Sequence, residues 1–199
     1  MRGNATIQAI LVVVPLAVAS CACAKSSTPT SLENPIVSPP AEAYAGLRSM
    51  ILTTDPETVG IAPSEAHPNA WGVLMEFQVS GTPVTLVALA DGTTSLYFGN
   101  GGGMLGGGGI DEVAKASQDL VALAEVYYPQ MTKVTEYPPP EAGSVQFYLL
   151  TFAGIYTAIA PEGNLVSGEH RLSPLFNAGN ELITQFRLHS PGAPEGACA

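Results

Sequence analysis

Residues 71–98 read WGVLMEFQVSGTPVTLVALADGTTSLYF, and this stretch decides the fold. From Trp71 to Val79 the residues alternate. Val73, Met75, Phe77 and Val79 fall on one side and Glu76 and Gln78 on the other, the period-2 pattern of a half-buried strand with Glu76 toward solvent. Ser80-Gly81-Thr82-Pro83 turns the chain. Val84–Ala90 is an almost continuous apolar run, the pattern of a central strand. Asp91-Gly92 predicts a type I′ hairpin turn, which needs two positive φ angles. Thr93–Phe98 returns as a third strand.

Outward from this meander the elements stay legible. Towards the C-terminus, Gly99–Gly109 is a glycine-rich loop. Asp111–Tyr128 follows as a helix, with Val113, Ala116, Leu120, Leu123 and Tyr127 on one face and Pro129 as its stop. Val145–Phe152 and Ile155–Ala160 predict a second hairpin around Ala153-Gly154. Ser173-Pro174 reads as a cap and a first-turn proline, starting a last helix that ends near His189. Towards the N-terminus, Glu42–Leu52 carries Tyr44, Leu47 and Ile51 on one helical face. The expected order is α-β-β-β-α-β-β-α. Its short connections are hairpins, so the expectation is a single α+β domain with a mainly antiparallel, five-stranded sheet and helices packed on it. In element count this layout resembles the profilin-like and roadblock-like domains, a likeness of fold that carries no function.

The chain has 199 residues, a net charge of -10 and only 12% charged residues. Its Lys and Arg residues are scattered, with no two adjacent, which argues against nucleic acid and against docking on anionic lipid headgroups. The N-terminus is informative. Arg2 precedes an apolar core, Ala9–Ala19, too short for a membrane span and suited to an export signal. Val18-Ala19-Ser20-Cys21 resembles the lipobox of bacterial lipoproteins. That resemblance implies lipidation of Cys21, cleavage before it, and anchoring to a membrane of the cell envelope. Ala22-Cys23-Ala24 also fits ordinary signal cleavage, which would leave a secreted protein. An uncleaved anchor over residues 3–24 is a third reading. The resulting plan is a signal over 1–20, a Ser/Thr/Pro tether over 21–41, a globular domain over 42–189 and a loose tail over 190–199. Cys198 lies in that tail, and a bridge to Cys23 is the alternative.

The glycine loop is the unusual feature. Gly101, Gly103, Met104, Leu105 and Gly106 are its candidate ligand or partner contacts. Backbone amides in such a loop can hold an anion, and Met104 and Leu105 are its side-chain handles. Gly101, Gly103 and Gly106 match dinucleotide spacing, but any glycine run contains that spacing and no βαβ unit surrounds it. Asp111 and Glu112 would repel phosphate. A close-packed structural loop is the plain alternative.

Catalytic chemistry is harder to find. His67, His170 and His189 show no zinc-ligand spacing, no nucleophile elbow occurs, and no catalytic residue, metal site or cofactor is assigned. The leading expectation is a non-catalytic, exported, lipid-anchored domain that binds another exported protein or acts structurally. The alternatives are a small-ligand domain using residues 99–109 and a hydrolase with dispersed residues around His170.

Overall fold

The alternating and apolar runs of the meander pair into one antiparallel sheet, and the hydrophobic residues of three long helices cover both of its faces. The computed structural model describes residues 39–189, all within the unit Val37–Ala199. The signal, Cys21, Cys23, the tether up to residue 38, the tail and Cys198 lie outside the described residues. The elements in chain order are α1 (Pro40–Thr53), β1 (Ala70–Val79), β2 (Thr82–Leu89), β3 (Thr94–Phe98), β4 (Gly103–Leu105), α2 (Asp111–Tyr127), β5 (Thr132–Val134), β6 (Ser144–Thr151), β7 (Gly154–Pro161), α3 (Glu162–Val166) and α4 (Ser173–His189). The sheet has seven strands in the order β4-β3-β2-β1-β6-β7-β5.

The fold is therefore α+β with one antiparallel sheet and four helices, but the expected five strands become seven. The two extra strands, β4 and β5, are three residues long and form the two edges of the sheet. Neither is long enough to show an alternating pattern, and β4 lies inside the glycine run. The short α3 was also unexpected. Helix α1 begins at Pro40, two residues before the expected start of the domain.

The chain turns at Ser80-Gly81 as expected, but the Asp91-Gly92 turn differs from expectation. Ser80 and Gly81 both have positive φ (51° and 76°), so the two-residue I′ geometry closes β1–β2. At Asp91-Gly92 only Gly92 is positive (92°). There the Gly92 N–H donates to Leu89 O (3.0 Å) and the Leu89 N–H to Thr93 O (2.9 Å), closing a three-residue loop. The Asp91 carboxylate holds it by accepting from the Thr93 N–H (2.8 Å) and the Thr93 hydroxyl (3.0 Å). A carboxylate that satisfies two local donors stabilises this loop without a second positive φ.

One sheet face presents Val73, Met75, Leu86, Phe147 and Leu149 to α2 and α4, whose Val113, Leu120, Leu182 and Phe186 complete a fully desolvated core. The other face presents Leu74, Val87, Tyr148 and Leu150 to Ile51 and Leu52 of α1. Each such aliphatic or aromatic side chain contributes about 1.5–3 kcal/mol on leaving water. Because both faces are covered, β1 is not the expected half-buried strand. From Ala70 to Glu76 every residue is buried.

Candidate functional site

The correction at β1 falls on Glu76. Expected in solvent, it is 0% exposed. Register sets Glu76 between Thr85 on β2 and Gln146 on β6, on the face that α1 covers. A carboxylate there needs a partner, because an unpaired buried charge is costly. Arg48 of α1 supplies it with two near-parallel bonds, Nε to Oε1 at 2.7 Å and Nη2 to Oε2 at 2.8 Å. The Thr85 hydroxyl donates to Oε1 at 3.0 Å and lies 2.9 Å from the Tyr44 hydroxyl. The guanidinium also stands over the Tyr148 ring, 5.7 Å from its centroid, within cation–π range. Burial opposes the Arg48 charge, but the bonds and charge of Glu76 outweigh it, so its pKa rises.

Tyr148 extends the network beneath the loop that follows β5. Its hydroxyl donates to Pro138 O at 2.5 Å, and Tyr137 packs edge-on against its ring at 5.9 Å. Burial, with the Glu76 carboxylate adding to it, pushes the phenol up to about 12. The unfolded phenol titrates near 10. Above pH ~10 the unfolded chain has lost a proton that the native chain keeps, so stability falls as pH rises. This contribution is complete below pH ~10 and lost as pH passes through about 12. Guanidinium unfolding at pH ~9 and ~11 should show the loss. Tyr148→Phe should shrink the difference without abolishing it, since burial also raises Tyr44 and Tyr97. An unchanged difference would contradict the assignment to Tyr148.

Beside this network, at the end of α1, lies an open groove of about 760 Å³. Its floor is apolar and includes Leu52, Ile61 and Trp71. Half-buried Tyr137 and Phe152 also line it. Its rim is polar. Exposed Lys133 of β5 donates from Nζ to Ala153 O at 2.6 Å, at the tip of the β6–β7 hairpin. Gly154, with φ 118°, makes that approach possible, because a Cβ there would stand 3.0 Å from Lys133 Cε. On the opposite rim Asp55 caps a short 3-10 turn, its carboxylate accepting from the Glu57 N–H at 3.0 Å. The groove thus has an apolar floor, a rim that includes Thr53, Thr54 and Thr135, and charged residues of both signs.

The glycine loop is ordered by packing. A Cβ on Gly103 would stand 2.7 Å from Leu96 O, and one on Gly107 would stand 2.8 Å from Val113 and 2.9 Å from Phe186. Gly101 (φ 87°) abuts Pro40 at the start of α1. Gly106 (φ 77°) is exposed and precedes the short 3-10 turn Gly107–Gly109. Met104 packs against the α2/α4 core, whereas Leu105 is 63% exposed. The five expected contact residues are therefore neighbours, but they form an edge rather than a cradle. They stand at the β4 edge of the sheet, and the groove borders β5 at the opposite edge.

The histidines are dispersed. His170 Nδ1 accepts from the Leu172 N–H (3.2 Å) and its carbonyl accepts from the Ser173 N–H (2.9 Å), so it organises the turn into α4. Arg171 donates to Gln130 Oε1 at 3.2 Å. His189 Nδ1 lies 2.9 Å from Gln185 O within α4. His67 Nδ1 is buried without a hydrogen-bond partner among the described residues. Among the described residues no group of three or more His, Cys, Asp or Glu side chains could hold a metal ion, and no helix is long and apolar enough to cross a membrane.

The residues that sequence reasoning missed are Arg48, Lys133 and the groove floor. Arg48 carried a readable signal: it is a lone cation between Leu47 and Ile51, on the side of α1 that Tyr44 also occupies. Lys133 carried none, because its role depends on the hairpin tip. No protein-family model, curated protein or solved structure matches the chain.

Proposed function

We propose that the chain is an exported, lipid-anchored binding domain without catalysis of its own, and that an extended segment of another exported protein lies in the groove at the end of α1. The groove carries this reading: apolar floor, polar rim and open side together suit a chain segment that buries side chains and bonds through its backbone. Export and anchoring rest on the signal and on Cys21, which becomes the first mature residue and the point of membrane attachment. The small-ligand alternative has less support, because the loop glycines are occupied in packing against Leu96, Val113 and Phe186.

A photo-reactive residue at Phe152 in the full chain tests this reading in the native envelope. The expected result is one discrete adduct with another envelope protein, weakened by Lys133→Glu and absent when the probe sits at Val126, which is 66% exposed on α2. No adduct at Phe152, or the same adduct from Val126, overturns it.

A further inference from the structure

The two edges of the sheet are protected differently. At β5, exposed Lys133 puts a charge on the edge strand, as natural edge strands require. At β4 no charged side chain among the described residues stands on the edge strand. No charged residue occurs from Gly92 to Ile110, in a chain of net charge -10.

The register shows which groups β4 leaves open. β4 pairs with β3 through Ser95↔Leu105, Leu96↔Met104 and Tyr97↔Gly103. The Phe98 N–H donates to Gly102 O at 2.9 Å, so Gly102 turns its backbone toward β3. By the alternation of an antiparallel ladder Met104 does the same, and the N–H and C=O groups of Gly103 and Leu105 point away from the sheet. Gly103 and Leu105 are both exposed.

We propose that this edge pairs with the β4 edge of a second copy of the chain, antiparallel about Met104, joining two seven-stranded sheets into one. Three observations choose a second copy as the occupant. In that register Gly103 faces Leu105 of the other copy, and these are the residues whose backbone groups are open, so each pair exchanges two hydrogen bonds. The side chains fit for the same reason, since each exposed Leu105 meets a glycine on the facing strand. The segment is also the neutral one, where two acidic copies meet with least repulsion. This contact is independent of the groove, which borders the opposite edge.

The full chain in detergent, with Cys23 and Cys198 replaced by Ser, tests the pairing. In the proposed register Met104 faces its own copy as a non-hydrogen-bonded pair, with Cα atoms about 4.5 Å apart, within disulfide reach. Met104→Cys should therefore oxidise to a covalent dimer, whereas Val126→Cys on α2 should not. Sedimentation velocity should show a dimer for the parent chain and loss of it in Leu105→Lys, which should still melt cooperatively because Leu105 is 63% exposed. A monomeric parent chain, a Met104→Cys yield no greater than that of Val126→Cys, or adducts with a different protein overturns the proposal.

Discussion

Arg48→Ala should lower the free energy of unfolding by about 3–5 kcal/mol. The loss comes less from the missing contact than from what remains. Native Glu76 is 0% exposed on the middle strand of the sheet, and among the described residues the Thr85 hydroxyl at 3.0 Å is the only other side-chain partner its carboxylate has. Stripping one partner from a buried pair leaves a charge that neither water nor protein compensates. The Tyr148 ring also loses the cation above it. The double replacement Arg48→Met with Glu76→Leu separates the two effects. Two apolar side chains of similar volume satisfy each other, so the double variant should recover most of the loss, or exceed wild-type stability by about 1–4 kcal/mol. Denaturant unfolding of the three proteins checks this. Equal losses in the single and double variants would mean that the pair is not the cause. Hydrogen exchange should show the Arg48→Ala loss concentrated in α1, since Arg48 and Tyr44 are the polar contacts of that helix with the sheet.

Phe147→Ala should cost about 3–5 kcal/mol as well, by a different route. Phe147 is fully buried on β6, with Met75 and Ala158 as its cross-strand neighbours and the α2/α4 core above it. Its strand lies in the sheet interior between β1 and β7, so the backbone is pinned on both sides and cannot collapse into the space a lost ring leaves. The cost therefore includes the cavity as well as the lost transfer energy. Ile159→Ala on neighbouring β7 is the control. Ile159 is 54% exposed, and its change should stay within about 0.5 kcal/mol. Similar losses at both positions, by denaturant unfolding, would contradict the placement of the core.

Much of the fold was readable because its signals are local. The alternation of Val73, Met75 and Phe77, the apolar run Val84–Ala90, the face of α2 and the Ser173-Pro174 start of α4 each express a period or a cap within one element. The elements recur in the structure, but α2 buries Val113, Ser117, Leu120, Val121 and Ala124 while Ala116, Leu123 and Tyr127 are half-buried, and Ser173 opens α4 with its hydroxyl donating to Asn164 O instead of capping it. Both hairpin turns lie where the sequence places them, but the type I′ geometry expected at Asp91-Gly92 is not found there: Asp91 closes its loop through its own carboxylate, while Ser80-Gly81 takes two positive φ angles. That choice depends on which strand residues face each other, which a dipeptide does not specify. The glycine loop was readable as unusual, but not as packed. Its glycines are set by Leu96, Val113 and Phe186, residues from three different elements.

The sequence alone determined the longer elements and their antiparallel character, because periodicity and turn chemistry each lie within a short run of residues. Only the tertiary structure decided the rest. Whether a polar residue on an alternating strand meets water depends on what lies above that strand, and α1 lies above Glu76. Arg48 and Glu76 are 28 residues apart in the chain and 2.7 Å apart in the fold. The groove has the same origin: Leu52, Trp71, Lys133 and Phe152 come from separate elements and meet only where the end of α1, β5 and the β6–β7 hairpin converge. Short edges are tertiary too. Three residues carry no period, so β4 is a strand because β3 offers it a ladder.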